Sequence, residues 1–253
     1  MRPLGCIACA VALLLGSAAL AADPCAAPAA VWGRFPPLAE SGRSIAFEHT
    51  LTVVALGSSS TEGTGASAPA MAYPAQLDSL LQRRLPDVRV SVLNKGVLGE
   101  TVAQNLARLE RDALAHGPDL VIWQVGTNDA FQHVDPAIVA SQLREGIARI
   151  KARGSDVVLM ESQFFPIRPP PPELSRMIET VRAVGRDAGV TVLPRYALMR
   201  HWLEAKQLPA EALVGADGLH MTDASYHCLA ERVADLFPTA SPAPLVHPVA
   251  AGP

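Results

Sequence analysis

Asp119-Leu-Val-Ile-Trp-Gln-Val125 runs directly into Gly126-Thr-Asn-Asp129. A nearly continuous apolar run of strand length is the pattern of a strand buried on both faces. The sequence on either side repeats that punctuation. Leu51-Thr-Val-Val-Ala-Leu56 and Val88-Arg-Val-Ser-Val-Leu93 precede it, and Val157-Val-Leu-Met160 and Val190-Thr-Val-Leu193 follow it. Between these runs the apolar spacing changes to that of helices. Leu77, Leu80 and Leu81 share one face over 73–85, and Val102, Leu106, Leu109 and Leu114 recur over 101–116. Further helices are predicted over 136–152, with Asp135 as N-cap, over 173–188, and over 224–237. His201-Trp202 falls on a short helix after the last strand and reads as packing.

Five strands alternating with helices give an α/β fold. The expected architecture is a single three-layer α/β/α domain, flavodoxin-like, around a five-stranded, mainly parallel sheet. No repeat or linker divides residues 46–238. Residues 22–45 carry many Ala and Pro with no clear period and read as an irregular N-terminal segment. Residues 239–253 read as a loose tail.

The chain has 253 residues, 49% of them hydrophobic and 18% charged, with a net charge of −3. That length can bury a substantial core, and that composition is not that of a disordered chain. The charge balance supplies no strongly basic face, which argues against a nucleic-acid partner. Part of the apolar excess lies at the start. Arg2, an apolar run from Cys6 to Leu20, and Ala19-Leu-Ala21 have the order of a secretory signal peptide over residues 1–21. The run is too short for a comfortable membrane span of about 20 residues, and no basic cluster stops it, so stable membrane insertion is not expected. Cleavage after Ala21 would export the protein to the periplasm or beyond. It would remove Arg2 and no acid, leaving 20 basic against 24 acidic residues. It would also leave two cysteines, Cys25 and Cys228, which either pair in an oxidising compartment or remain thiols.

In parallel sheets ligands bind at the carboxyl ends of the strands. Four segments with reactive residue types stand there or near the C-terminus. They are Gly57-Ser-Ser-Ser-Thr-Glu-Gly63, Asn94-Lys-Gly-Val-Leu-Gly-Glu-Thr101, Gly126-Thr-Asn-Asp129 and Asp217-Gly-Leu-His220. Together they hold the parts for nucleophilic acyl transfer. A serine needs a base to take its proton. His220 can serve, with Asp217 three residues earlier fixing its tautomer. An oxyanion needs donors. The serine N–H, the Gly99 N–H and the Asn128 amide are the candidates. No Gly-Lys-Ser/Thr follows the first segment, and Gly63-Thr-Gly65 lacks the third glycine of a dinucleotide fingerprint. No Cys/His spacing suggests zinc, and no Gly-x-Ser-x-Gly elbow is present. Serines ahead of a helix commonly cap or turn, which is the reading for Ser58 and Ser60. Asp129 reads as a brace for its turn.

These four ordered segments resemble the blocks of the SGNH hydrolases, the GDSL-type lipase/esterase family. The first block, usually Gly-Asp-Ser-Ile/Leu-Thr-x-Gly, aligns with residues 57–63 from both ends and places the nucleophile at Ser59. Asn-x-Gly-x-x-Gly-x-Thr matches Asn94 to Thr101 throughout, with Gly99 as oxyanion donor. Asn128 is the second donor of the third block, and Asp-x-x-His matches Asp217 and His220. Ser58 stands where the family usually has Asp, and Ser60 where it usually has an aliphatic residue. The resemblance implies a serine esterase without metal or organic cofactor, acting on a small ester or an acylated saccharide. It leaves open the oligomeric state and two alternatives, an O-acyltransferase using the same intermediate and a non-catalytic carbohydrate-binding protein of the same fold. Phe164 and Phe165, ahead of Pro166 and the prolines at 169–172, either line an acyl pocket or plug the core.

Overall fold

The computed structural model describes residues 23–237. The predicted signal segment 1–21 and the tail 239–253 lie outside them. The five strands are β1 (Thr50–Gly57), β2 (Arg89–Gly96), β3 (Leu120–Gln124), β4 (Asp156–Met160) and β5 (Thr191–Leu193). They form one sheet in the order β2-β1-β3-β4-β5, with every pairing parallel. All five residues of β3 are buried, which is why its sequence is continuously apolar. β2, at one edge, keeps a more exposed pattern.

Side chains of β1 alternate between two cores, as the two-residue period of a strand requires. Leu51, Val53 and Ala55 face one core, and Val54 and Leu56 face the other. The first core is covered by α4 (Tyr73–Arg84), which presents Leu77, Leu80 and Leu81, and by the C-terminal helix over Asp223–Ala234, which presents Tyr226 and Leu229. The second is covered by α5 (Val102–Asp112), α7 (Pro136–Ala152) and α8 (Leu174–Ala188). In α7 a Cβ on Gly146 would lie 2.3 Å from Trp123 Cζ3, so the missing side chain lets the helix close over the indole. Asp135 accepts from the Ala137 N–H at 2.8 Å, the cap expected of it. The helix predicted over 101–116 ends instead at Asp112 and continues as a 3₁₀ turn, Leu114–His116.

The N-terminal segment departs from the irregular chain expected over 22–45. Pro28 and Gly33 bound a short helix, α1 (Ala29–Trp32), and α2 (Ala39–Arg43) passes into a π-helical turn, Ser44–Glu48. Its anchors are polar and distant in sequence. Ser41 donates through both N–H and Oγ to Asp156 Oδ2 at 2.8 Å. Ser44 Oγ and the Thr52 N–H bind the two oxygens of Asp119 at 2.5 and 2.7 Å. The segment thus ties together the amino ends of β1, β3 and β4, the end opposite the candidate site. The helix containing Trp202 is α9 (Arg195–Glu204), where Trp202 is wholly buried and donates to the Cys25 carbonyl at 3.2 Å. A short α10 (Ala210–Leu213) not foreseen in the sequence precedes α11, the helix Asp223–Ala234.

Cys25 and Cys228 are bonded, with Cα atoms 4.8 Å apart and a sequence separation of 203. A link closing so long a loop restricts the unfolded chain strongly, a contribution of about 3–5 kcal/mol. Reduction of the purified protein, or Cys228→Ser, is expected to lower the free energy of unfolding by that amount, read as a lower denaturant midpoint. An unchanged midpoint, or two free thiols in the denatured, unreduced chain cleaved after Ala21, would contradict the bond.

Candidate active site

The carboxyl end of β1 turns into α3 (Ser59–Glu62) at Ser58. Ser58 occupies the N-cap position, yet its hydroxyl makes no capping bond. Its N–H and Oγ both reach Gln124 Oε1 at 2.9 Å, at the end of the neighbouring strand β3. Ser59 opens the helix and is buried, 8% exposed. Its carbonyl accepts from the Gly63 and Thr64 N–H groups, and Gly63 at φ +109° makes the turn.

β2 brings the second block against this turn. A Cβ at Gly96 would lie 1.9 Å from the Glu62 N, so only glycine lets the strand end pass beneath α3. Asn94 Nδ2 donates to the Glu62 carbonyl at 3.1 Å, making this residue a brace. Gly99 lies beyond, at φ +79° with open space around it. Asn128 sits in α6 (Thr127–Phe131), and its Nδ2 donates to the Glu100 carbonyl at 2.8 Å. An amide nitrogen carries two hydrogens, so this bond aligns the group and engages one of them. Asp129 accepts from the Val102 N–H at 3.1 Å and caps α5, a bracing role. Burial raises its pKa against the pull of backbone N–H groups.

The last block closes the ring. Asp217 Oδ1 accepts from the N–H groups of Leu219 and His220 at 2.9 and 3.0 Å. Asp217 Oδ2 lies 2.6 Å from His220 Nδ1. Burial opposes ionisation of Asp217, but those two N–H groups and the imidazole outweigh it and hold the carboxyl below its ordinary value. The nucleophile loop touches this turn. A Cβ at Gly65 would lie 2.5 Å from the Met221 carbonyl oxygen and 3.0 Å from His220 Cβ. Tyr226 Oη also donates to the Thr64 carbonyl at 2.8 Å. Asp217 and His220 are therefore joined directly, and Asn128 is joined to the Gly99–Glu100 turn. Among the described residues Ser59 Oγ has no hydrogen bond to His220. Such bonds are commonly long before substrate binds.

Sequence reasoning missed several residues that hold these parts in place. Arg108, 8% exposed, donates to the Gly57 and Lys95 carbonyls at 3.1 and 2.8 Å and to Glu100 Oε2 at 2.7 Å. Asn105 donates to the same Glu100 oxygen and accepts from the Trp123 indole N–H. The signal was present in the sequence. Asn105 and Arg108 interrupt the buried face defined by Val102, Leu106 and Leu109, where a polar residue needs a partner. Arg195 is fully buried, and burial pulls its pKa down to about 10.

Phe165 is buried in the second core, edge-on to Phe131 at 6.0 Å between centroids. Phe164 is half-buried and packs edge-on to Tyr196 at 5.3 Å. Further along the same loop, Ile167 and Arg168 reach the histidine turn, with side chains 3.0 and 3.1 Å from the position a Gly218 Cβ would take. Among the described residues no group of three or more His, Cys, Asp or Glu side chains could hold a metal ion, and no helix is long and apolar enough to cross a membrane.

A parallel sheet carrying Ser, Gly, Asn and His at its carboxyl end is the arrangement of the SGNH hydrolases. The chain belongs to the Non-GDSL lipase-like family, which matches it over residues 24–240. It is 31% identical over 166 residues to esterase TesA of Pseudomonas aeruginosa, across 65% of this chain and 77% of that one. It is 35% identical over 99 residues to an arylesterase of Vibrio mimicus, across 39% of this chain. It thus spans about half the length of that relative, 46%. Among solved structures, the acetylxylan esterase Axe2 of Geobacillus stearothermophilus shares the fold at a TM-score of 0.62 and 21% identity, covering 74% of this chain and 93% of that one.

Gly96→Ala is expected to displace α3 and lower kcat about a hundredfold, with the circular dichroism spectrum retained; unchanged kcat would show that the close approach is dispensable. Asp217→Asn, which removes the acceptor facing His220 Nδ1, should reduce kcat/KM about a hundredfold or more. Unchanged kcat/KM in that variant would show that the Asp217–His220 pair is dispensable.

Proposed function

We propose that the protein is an exported serine esterase that cleaves small carboxylic esters through an acyl-enzyme on Ser59. Its natural substrates would be aryl or short-chain esters or acetylated saccharides. The observation that carries the reading is the Asp217–His220 pair at 2.6 Å, set against the loop that follows Ser59 by contact at Gly65. His220 accepts the Ser59 proton as Oγ attacks the ester carbonyl. Asp217 holds the imidazole in one tautomer and stabilises the imidazolium. The N–H groups of Ser59 and Gly99 and the Asn128 amide receive the oxyanion, a donor of this kind contributing about 3 kcal/mol to the transition state. His220 then protonates the departing alcohol. In the second half it activates water, which releases the acid and restores Ser59.

Three observations support the choice of substrate class and compartment. Relatives carry the names esterase, arylesterase and acetylxylan esterase. The open space around Gly99 leaves room for a carbonyl oxygen. A bond between Cys25 and Cys228 fits an oxidising compartment, as the signal-like residues 1–21 require.

The test is an ester panel varied in acyl length and alcohol, run beside Ser59→Ala. p-Nitrophenyl acetate should be hydrolysed, and Ser59→Ala should lower kcat by about four orders of magnitude or more. Full activity in Ser59→Ala, or no turnover of any short-chain ester by folded protein, would overturn the reading. Product partition between water and added sugar alcohols separates hydrolysis from acyl transfer.

A further inference from the structure

The histidine turn is tied to the oxyanion-donor helix by one buried amide. Gln163 follows β4 and is 1% exposed. Its Oε1 accepts from Thr127 Oγ1 at 3.1 Å and from Arg195 Nη2 at 2.9 Å. Its Nε2 donates to the Leu219 carbonyl at 3.3 Å. The orientation of this amide is chemically determined. A guanidinium only donates, so the atom facing Arg195 must be the amide oxygen, and the NH₂ is left for Leu219. Thr127 immediately precedes Asn128, and Leu219 immediately precedes His220. Gln163 therefore spans the two residues that must converge on the same substrate carbonyl.

Arg195 fixes the hub in turn. Its Nε donates to the Glu161 carbonyl at 2.9 Å, and its Nη1 lies 4.0 Å from Met221 Sδ, just beyond His220. Thr127 Oγ1 is also 3.0 Å from Ser162 Oγ. Gln163, Thr127, Ser162 and Arg195 are buried and Leu219 is half-buried, so an unmade bond at the amide or the guanidinium would not be replaced by water at low cost. Evolutionary economy is not needed to explain an amide here: an apolar side chain of the same length would fill the space but would leave the Leu219 carbonyl and the Arg195 donor unmet.

We propose that Gln163 is a positioning residue for catalysis, setting His220 relative to Asn128 through the Thr127–Gln163–Leu219 bridge, with Arg195 locking its amide. This rests on the esterase reading. The bridge contacts no substrate. Its effect is geometric: it limits travel of the Asp217–His220 turn relative to the donor that receives the oxyanion, where small misplacements are costly.

Gln163→Met keeps the length and apolar volume and removes all three bonds. Steady-state kinetics on p-nitrophenyl acetate and titration of active sites with a fluorophosphonate are measured beside Ser59→Ala. The expected result is full site titration, kcat lower by about tenfold to a hundredfold, and KM within about twofold. Gln163→Glu, which retains acceptance from Arg195 and loses the donor to Leu219, should also lose kcat. It serves as the readout if Gln163→Met does not fold. Wild-type kcat in these variants while Ser59→Ala is inactive would overturn the inference and leave the esterase reading standing. So would a loss of kcat matched in full by fewer titratable sites, because that is the signature of a merely structural role. Activity retained in Ser59→Ala would overturn the esterase reading itself.

Discussion

The paired ends of β1 and β2 set the geometry on which the rest of the site depends. In the parallel register Gly57 stands opposite Gly96, so both strands finish on residues without side chains. A Cβ at Gly57 would collide with Thr61 Oγ1, and one at Gly96 with the backbone of Glu62. The first turn of α3 therefore rests directly on the sheet, and Ser59 is held by backbone contacts. Arg108 completes the clamp by donating to the carbonyls of Gly57 and Lys95 at the two strand ends. β1 is also the strand where the order of the sheet reverses, with β2 on one side and β3 on the other. The crevice at such a reversal is where ligands bind in open α/β sheets. Gly99, Asn128 and Ser59 come from the three strands that border it.

Ser58 shows why the usual aspartate of the first block can be absent without dismantling the turn. Its N–H can only donate, so the atom of Gln124 facing it is the amide oxygen, and the hydroxyl donates to that same oxygen. A carboxylate at position 58 would face an acceptor and would require the amide to turn. The serine and Gln124 are thus matched to each other. This residue braces the turn from β1 to β3, while the residue beside it opens α3.

Much of this was legible in the chain. The apolar run at 119–125 and the alternation of strand and helix were enough for a parallel α/β sheet, because burial on both faces leaves no polar period in a central strand. The four blocks were legible because each is contiguous and three of them sit where a strand ends. What escaped reading depends on partners far away in sequence. The residues at 22–45 have no period because their order comes from Ser41 and Ser44 reaching Asp156 and Asp119. Gln124, Gln163 and Arg195 bind groups on other elements, and no local spacing announces such bonds. Phe164 and Phe165 were ambiguous for a related reason: an aromatic pair after a strand can face a pocket or a core, and only packing against Phe131 and Tyr196 decides it.

Ser59, one of three consecutive serines, is the proposed carrier of the acyl group. Labelling the active protein with a fluorophosphonate, followed by peptide mass spectrometry, distinguishes it from Ser58 and Ser60. One adduct per chain is expected, located on Ser59 and lost in His220→Ala. An adduct on Ser58 or Ser60, or stoichiometric inactivation with Ser59 unmodified, would contradict it.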